Sequence, residues 1–124
     1  MATRDITASE FNDLINENEI VLVDFWASWC GPCKQFAPTY EASSEKHGDI
    51  VYAKVDTEAE QELAGAAGIR SIPTLMAFKK GTLVFNQAGA LPAPMLEDLV
   101  QQVKDLDVDA AIAEAQAQQD GRQA

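Results

Sequence analysis

The chain has 124 residues, with 9 Lys plus Arg against 20 Asp plus Glu, a net charge of −11 and 47% apolar residues. That length and composition suit one domain with a buried core and exclude a chain disordered throughout. The acidic balance argues against nucleic acid and an anionic membrane as partners, since both are bound chiefly by neutralising negative charge.

The amino terminus, Met1-Ala2-Thr3-Arg4-Asp5, carries no apolar run after its Arg. Nowhere do about 18 apolar residues run together, so no signal peptide or membrane span is expected and the expected location is the cytoplasm. Residues 3–6 read as a short strand. Thr7-Ala8-Ser9-Glu10 forms a capping box, and Phe11, Leu14 and Ile15 follow at helical spacing, which predicts a helix over 8–17. Residues 20–27, Ile-Val-Leu-Val-Asp-Phe-Trp-Ala, are almost continuously apolar and β-branched or aromatic, as a strand buried on both faces requires. A helix is predicted from 33 to 47, with Gly48 as its left-handed stop. Pro38 lies inside it and removes the amide that would bond the Lys34 carbonyl, so a kink is expected there.

Residues 50–55 form the next buried strand, and Asp56 or Thr57 is placed to cap a helix beginning at Glu58. Residues 74–78 and 82–87 are apolar runs around Lys79-Lys80-Gly81, a hairpin signal. Pro92 and Pro94 punctuate the start of a last helix over 94–106, with Met95, Leu96, Leu99, Val100 and Val103 as its apolar stripe. The order βαβαβα then ββα predicts an α/β fold: parallel strands joined by right-handed crossovers, extended by an antiparallel hairpin, with helices on both faces. The domain is expected to span 1–106. Residues 107–124 form an acidic, Ala- and Gln-rich extension, helical or frayed, which is expected to contribute little apolar area.

Both cysteines lie in Cys30-Gly31-Pro32-Cys33. A structural disulfide closing so short a loop contributes little and persists poorly in a reducing compartment, which leaves redox chemistry or metal binding. A structural zinc site needs four ligands, and the chain offers two Cys and His47, a full helix away. The pair sits where an apolar strand meets a helix. Cysteines at i and i+3 in a first turn share a face, and the free amides there favour thiolate over thiol. Cys30, with better access to those amides and to solvent, is the expected nucleophile, and Cys33 the shielded resolving thiol. Asp24 also stands out, because an unpaired charge between Val23 and Phe25 costs several kcal/mol. A structural pair with Lys54, on a strand that can lie beside it, is one explanation. Trp26, on the same strand face, reads as core packing under the cysteine turn.

The segment Trp29-Cys30-Gly31-Pro32-Cys33-Lys34, preceded by Val23-Asp24-Phe25-Trp26-Ala27, resembles the active-site motif of bacterial thioredoxins. Lys54-Val55-Asp56, Ile69-Arg70-Ser71-Ile72-Pro73-Thr74, Phe78-Lys79-Lys80-Gly81 and Gly89-Ala90 match that family in order, over residues 3–106. Phe36, Thr57 and the carboxyl-terminal extension depart from it. The resemblance implies a thioredoxin fold: one central, mixed five-stranded sheet flanked by helices on both faces. It implies that Asp24 lies beneath Cys33 and exchanges its proton, with Lys54 modulating the carboxylate. It implies a cis Ile72-Pro73 bond facing the disulfide, and a rim of Trp29, Gly31, Pro32, Ile72, Gly89 and Ala90 for an extended substrate. Gly89 reads equally as a turn glycine. The function so implied is general cytosolic protein-disulfide reduction by a monomer. Reducing equivalents would come from a thioredoxin reductase, the substrates would be disulfide-containing client proteins, and no cofactor or metal is needed beyond the Cys30–Cys33 disulfide. A disulfide oxidase or isomerase, and a scaffold using the same groove without redox turnover, are the competing readings.

Overall fold

β2 (Ile20–Trp26) occupies the middle of the sheet in the computed structural model, which describes residues 2–123, those after Gln119 by backbone alone. Five strands run in the order β1-β3-β2-β4-β5, with β1 at Thr3–Asp5, β3 at Val51–Asp56, β4 at Thr74–Lys79 and β5 at Thr82–Ala88. β3 pairs parallel with both β1 and β2, whereas β4 runs antiparallel to both β2 and β5, so the sheet is mixed. The central position of β2 explains its composition, since no edge or face of it meets water.

Alternation along β2 divides the core. Val21, Val23 and Phe25 pack with Phe11 and Leu14 of α1 (Ala8–Glu17) and with Leu63 of α3 (Gln61–Ala66). Ile20 and Leu22 face the other way, toward Phe36 and Tyr40 of α2 (Gly31–Lys46) and Leu96, Leu99 and Val103 of α4 (Ala93–Asp105). Tyr40 donates its buried hydroxyl to the Ala53 carbonyl at 2.8 Å, which ties α2 to β3 without an orphaned polar group. The capping box at α1 forms, with the Glu10 carboxylate accepting the Thr7 amide at 3.0 Å.

Several local expectations change. α2 begins at Gly31 rather than 33, with Cys30 as its N-cap, and it runs on through Pro38. Its stop is His47, at φ −129° and ψ 72°, and Gly48 is not among the left-handed glycines. The Ile50 amide closes this turn on the His47 carbonyl, so no left-handed residue is needed. α3 starts at Gln61 instead of 58: Asp56 caps only the turn at the Glu58 amide, and the Thr57 hydroxyl donates to the Trp26 carbonyl at 3.0 Å. The hairpin loop is two residues, Lys80 and Gly81 at φ 52° and 77°, the twist that suits right-handed strands. On α4, Met95 is 55% exposed, because it lies off the stripe of Leu96, Leu99, Val100 and Val103.

The extension is seated at its root. α5 (Val108–Gln123) follows one turn after α4, and Asp107 caps it by accepting the Ala110 amide at 3.0 Å. Val108 is only 3% exposed. Lys79, buried at the end of β4, donates to the carbonyls of Val103, Lys104 and Leu106 at 2.7–2.8 Å, satisfying the orphan acceptors where α4 ends. No described helix is long and apolar enough to cross a membrane.

Candidate active site

The carboxyl end of β2 delivers Ala27 and a short turn to Cys30, whose extended backbone (φ −88°, ψ 114°) caps α2. Cys30 and Cys33 are joined in a disulfide across a Cα–Cα distance of 5.2 Å. Pro32 stands in the first helical turn, where the missing amide has no helical partner to lose. The Cys33 amide donates to Cys30 Sγ at 3.2 Å, so the positive end of the helix is aimed at that sulfur.

Solvent access does not separate the two cysteines as the sequence predicts: Cys30 is 4% exposed and Cys33 3%. The Ile72-Pro73 loop is the reason. Its peptide bond is cis, the Ile72 carbonyl lies 3.7 Å from Cys30 Sγ, and Trp26 and Ile72 pack on the cluster of Ala27, Cys30 and Cys33. What distinguishes Cys30 is its neighbours, a helix amide on one side and a loop carbonyl on the other. Gly89, at φ +106°, donates its amide to the Pro73 carbonyl at 2.7 Å, so it serves as a turn glycine that braces this loop. Ala90 beside it is exposed, as are Gly31 and Pro32. A Cβ on Gly31 would meet nothing within 4 Å, so the turn between the two buried cysteines stands at an open surface.

Trp29 projects from the same turn, 67% exposed, with its indole N–H donated to the Glu58 carboxylate. Sequence reasoning missed Glu58, which sits in a run of acids with nothing in its spacing to mark it. Asp24 is 1% exposed on the face of β2 that α2 covers, and neither carboxylate oxygen has a hydrogen-bond partner. Burial pushes its carboxyl up to about 7, and the Lys54 ammonium pulls the other way. Asp24 and Lys54 are register partners across β2 and β3, but the ammonium lies over the Trp26 ring, 4.8 Å from its centroid. His47 belongs to the far end of α2, where its ring bonds Glu97 at 2.7 Å and Lys104 at 3.0 Å. Among the described residues no group of three His, Cys, Asp or Glu is placed to hold a metal ion.

The family model described as Thioredoxin matches residues 2–105. The chain belongs to the thioredoxin family. A Streptomyces coelicolor relative that carries the name "Putative thioredoxin 2" is 52% identical over 120 residues, which cover 94% of this chain and 90% of that one. The thioredoxin of Bacillus subtilis is 42% identical over 101 residues, 81% of this chain and 96% of its own. Among solved structures, a single-residue mutant of the thioredoxin from Halobacterium salinarum is similar with a TM-score of 0.79 at 35% identity, covering 85% of this chain and 93% of that one. The mixed five-stranded sheet with helices on both faces is the thioredoxin fold expected from the sequence. With its cysteine pair at the head of α2, this thioredoxin-family chain is a thiol–disulfide oxidoreductase that reduces protein disulfides.

Proposed function

We propose that the chain is a general protein-disulfide reductase of the cytoplasm, working as a monomer, with Cys30 as attacking thiol, Cys33 as resolving thiol and Asp24 as proton acceptor. The observation that carries this reading is the setting of Cys30 Sγ, between the Cys33 amide and the Ile72 carbonyl and beside the exposed Gly31-Pro32 turn. In the dithiol form, the helix amide stabilises a Cys30 thiolate. An extended client segment lies along Ile72 by main-chain pairing, with Trp29, Gly31, Pro32, Ala90 and the loop held by Gly89 as its apolar surroundings. Pro73, with no amide, keeps that position free of a competing donor.

The Cys30 thiolate attacks one sulfur of the client disulfide, and the other leaves as a thiolate that takes a proton from solvent. Asp24 accepts the Cys33 proton, and the Cys33 thiolate attacks Cys30 Sγ. The Cys30–Cys33 disulfide forms as the second client sulfur departs as a thiolate and takes a proton from solvent, to which Asp24 returns the Cys33 proton, so the client has gained two electrons and two protons. Lys54 tunes Asp24, because its attraction offsets part of what burial does to the carboxyl. A thioredoxin reductase would return the two electrons.

Replacing each cysteine in turn tests the assignment. Cys33→Ser should accumulate a covalent client adduct through Cys30 on non-reducing gels, and Cys30→Ser should accumulate none. Adducts through Cys33 in Cys30→Ser, with none in Cys33→Ser, would exchange the two roles.

A further inference from the structure

The two edges of the sheet are unlike. β1 ends one side with three residues, of which Arg4 and Asp5 carry charges, and a short, charged edge resists pairing with another chain. β5 ends the other side with seven, Thr-Leu-Val-Phe-Asn-Gln-Ala, without a charge or a Pro. Its register breaks at Val84, which has no opposite residue on β4, so Val84 and Phe85 both pack toward the core that α4 covers. Beyond that bulge, residues 85–88 pair regularly with 77–74, and Asn86, Gln87 and Ala88 are exposed. Among the described residues no strand lies on the outer side of β5, so its outward amides and carbonyls are open to one.

A groove separates this edge from α4. Phe85, Leu91, Met95 and Leu99 give it apolar walls, and Asp98 and Gln102 stand along it. Its charge is of one sign. Asp105 follows Asp98 by two helical turns, on the same side of α4. Gln102 and Gln101 donate to these two carboxylates as neutral groups, so both keep their charge. Among the described residues, no Lys or Arg lines the groove. Lys104 turns to Asp49 and His47, Lys80 pairs with Asp109, and Lys79 is buried against the carbonyls that end α4.

We propose that the β5 edge and this groove dock an extended segment of a basic partner protein as a sixth strand. The segment pairs with residues 85–88 and turns toward α4 a face of apolar side chains with one Lys or Arg for Asp98. Main-chain pairing supplies affinity, and the side chains that enter the groove supply selectivity. The net charge of −11 attracts such a segment and repels a second copy, whose groove carries the same carboxylate. The site is continuous with the reactive end of the sheet. Ala88 is the register partner of Thr74, next to Pro73, and the Gly89 amide holds the Pro73 carbonyl. A partner held along β5 is therefore led to the rim of the cysteine turn, although docking itself uses neither thiol.

The test uses the oxidised full-length protein and the capped peptide Thr-Val-Thr-Lys-Thr-Val-Thr, whose alternate residues set Val, Lys and Val on one face. A counterpart carries Glu in place of Lys. Neither contains Cys, so thiol exchange plays no part and the reductase reading is not at stake. Titration followed by amide NMR shifts gives the affinities, and amide hydrogen exchange locates the pairing. At low salt the Lys peptide should bind about tenfold more tightly than the Glu peptide and slow exchange at the outward amides of residues 85–88. That ratio should shrink about threefold in D98N, and M95S should weaken both peptides alike. Absence of saturable binding up to about 5 mM overturns the proposal, as does a ratio unchanged in D98N, which would mean attraction to the net charge alone. Shifts at Met95 and Asp98 without protection in β5 would reject a sixth strand. Protection of the same amides without peptide, growing with protein concentration, would make a second copy the occupant and overturn the basic partner.

Discussion

Asp24 and Lys54 face each other across adjacent parallel strands, yet the ammonium turns to the Trp26 ring and leaves both Asp24 oxygens buried without a hydrogen-bond donor. The register brings opposite charges to one face, and the indole takes the cation. A carboxyl so placed is more easily kept neutral than charged. This arrangement costs stability and leaves a buried carboxyl that titrates near neutrality.

The cost has a defined pH window. The folded carboxyl titrates at about 7, above the ordinary carboxylate range of the unfolded chain. Between those values the native state holds more protons, so stability should fall as pH rises from about 4 to 7 and stay low above it. Asp24→Asn removes the titration while keeping the shape. It should be more stable than wild type by ~2–3 kcal/mol at pH 8, with little difference at pH 4. Denaturant melts at both pH values check this; a destabilised Asp24→Asn at pH 8 would mean that Lys54 needs the carboxylate as an ion-pair partner.

The same substitution should separate the two chemical steps. On the roles proposed above, attack by Cys30 relies on the helix amide, whereas resolution by Cys33 needs a base. In Asp24→Asn, decay of a preformed mixed disulfide should slow by about 10- to 100-fold near pH 7, and its formation should change much less. Wild-type resolution should accelerate as pH rises toward 7, where the carboxyl ionises. Rapid-mixing kinetics with a fluorescent disulfide peptide reads both steps.

Lys79 should prove structural despite its charge. Its ammonium meets three carbonyls at the end of α4, and Lys79→Met leaves those acceptors short of a donor in a partly dry setting. We expect a loss of about 2 kcal/mol by chemical denaturation, with disulfide reduction at ambient temperature largely kept. Stability equal to wild type would show that water replaces the ammonium without penalty.

The extension should divide at Val108. Truncation after Asp107 removes a side chain that is 3% exposed and should lower the melting temperature by about 4–5 °C, from ~1–1.5 kcal/mol of lost burial. Truncation after Ala113 keeps Val108 and the Lys80–Asp109 pair, and should leave melting within about 1 °C. Two identical melting curves would mean that the Val108 seat contributes nothing.

Gly89→Ala tests the brace on the cis-proline loop. The added Cβ meets no atom within 4 Å, so the penalty comes from holding an L residue at φ +106°. A cost of about 1–3 kcal/mol is expected, together with slower reduction as the Pro73 carbonyl loses a fixed donor. Unchanged stability would show that the loop readjusts freely.

Local pattern determined much of this protein. The near-continuous apolar run of β2, the Cys-Gly-Pro-Cys turn at a strand–helix junction and the Lys-Gly hairpin are each written within a few residues, because helix period, strand burial and turn conformation depend on near neighbours. The thioredoxin fold and the identity of the redox pair follow from those segments in order. Tertiary structure decided the rest, through partners far apart in the chain. A structural ion pair is one reading of Asp24 and Lys54 until packing places an indole under the ammonium. Lys79 reads as part of a hairpin turn, and Val108 as part of a loose tail, until α4 ends beside both. Cys30 reads as the exposed thiol of its pair, but residues 42 positions later close over it. Exposure, pairing and titration are set by which groups three-dimensional packing brings within a few ångströms, and a one-dimensional pattern carries that information only where the neighbours are also neighbours in sequence.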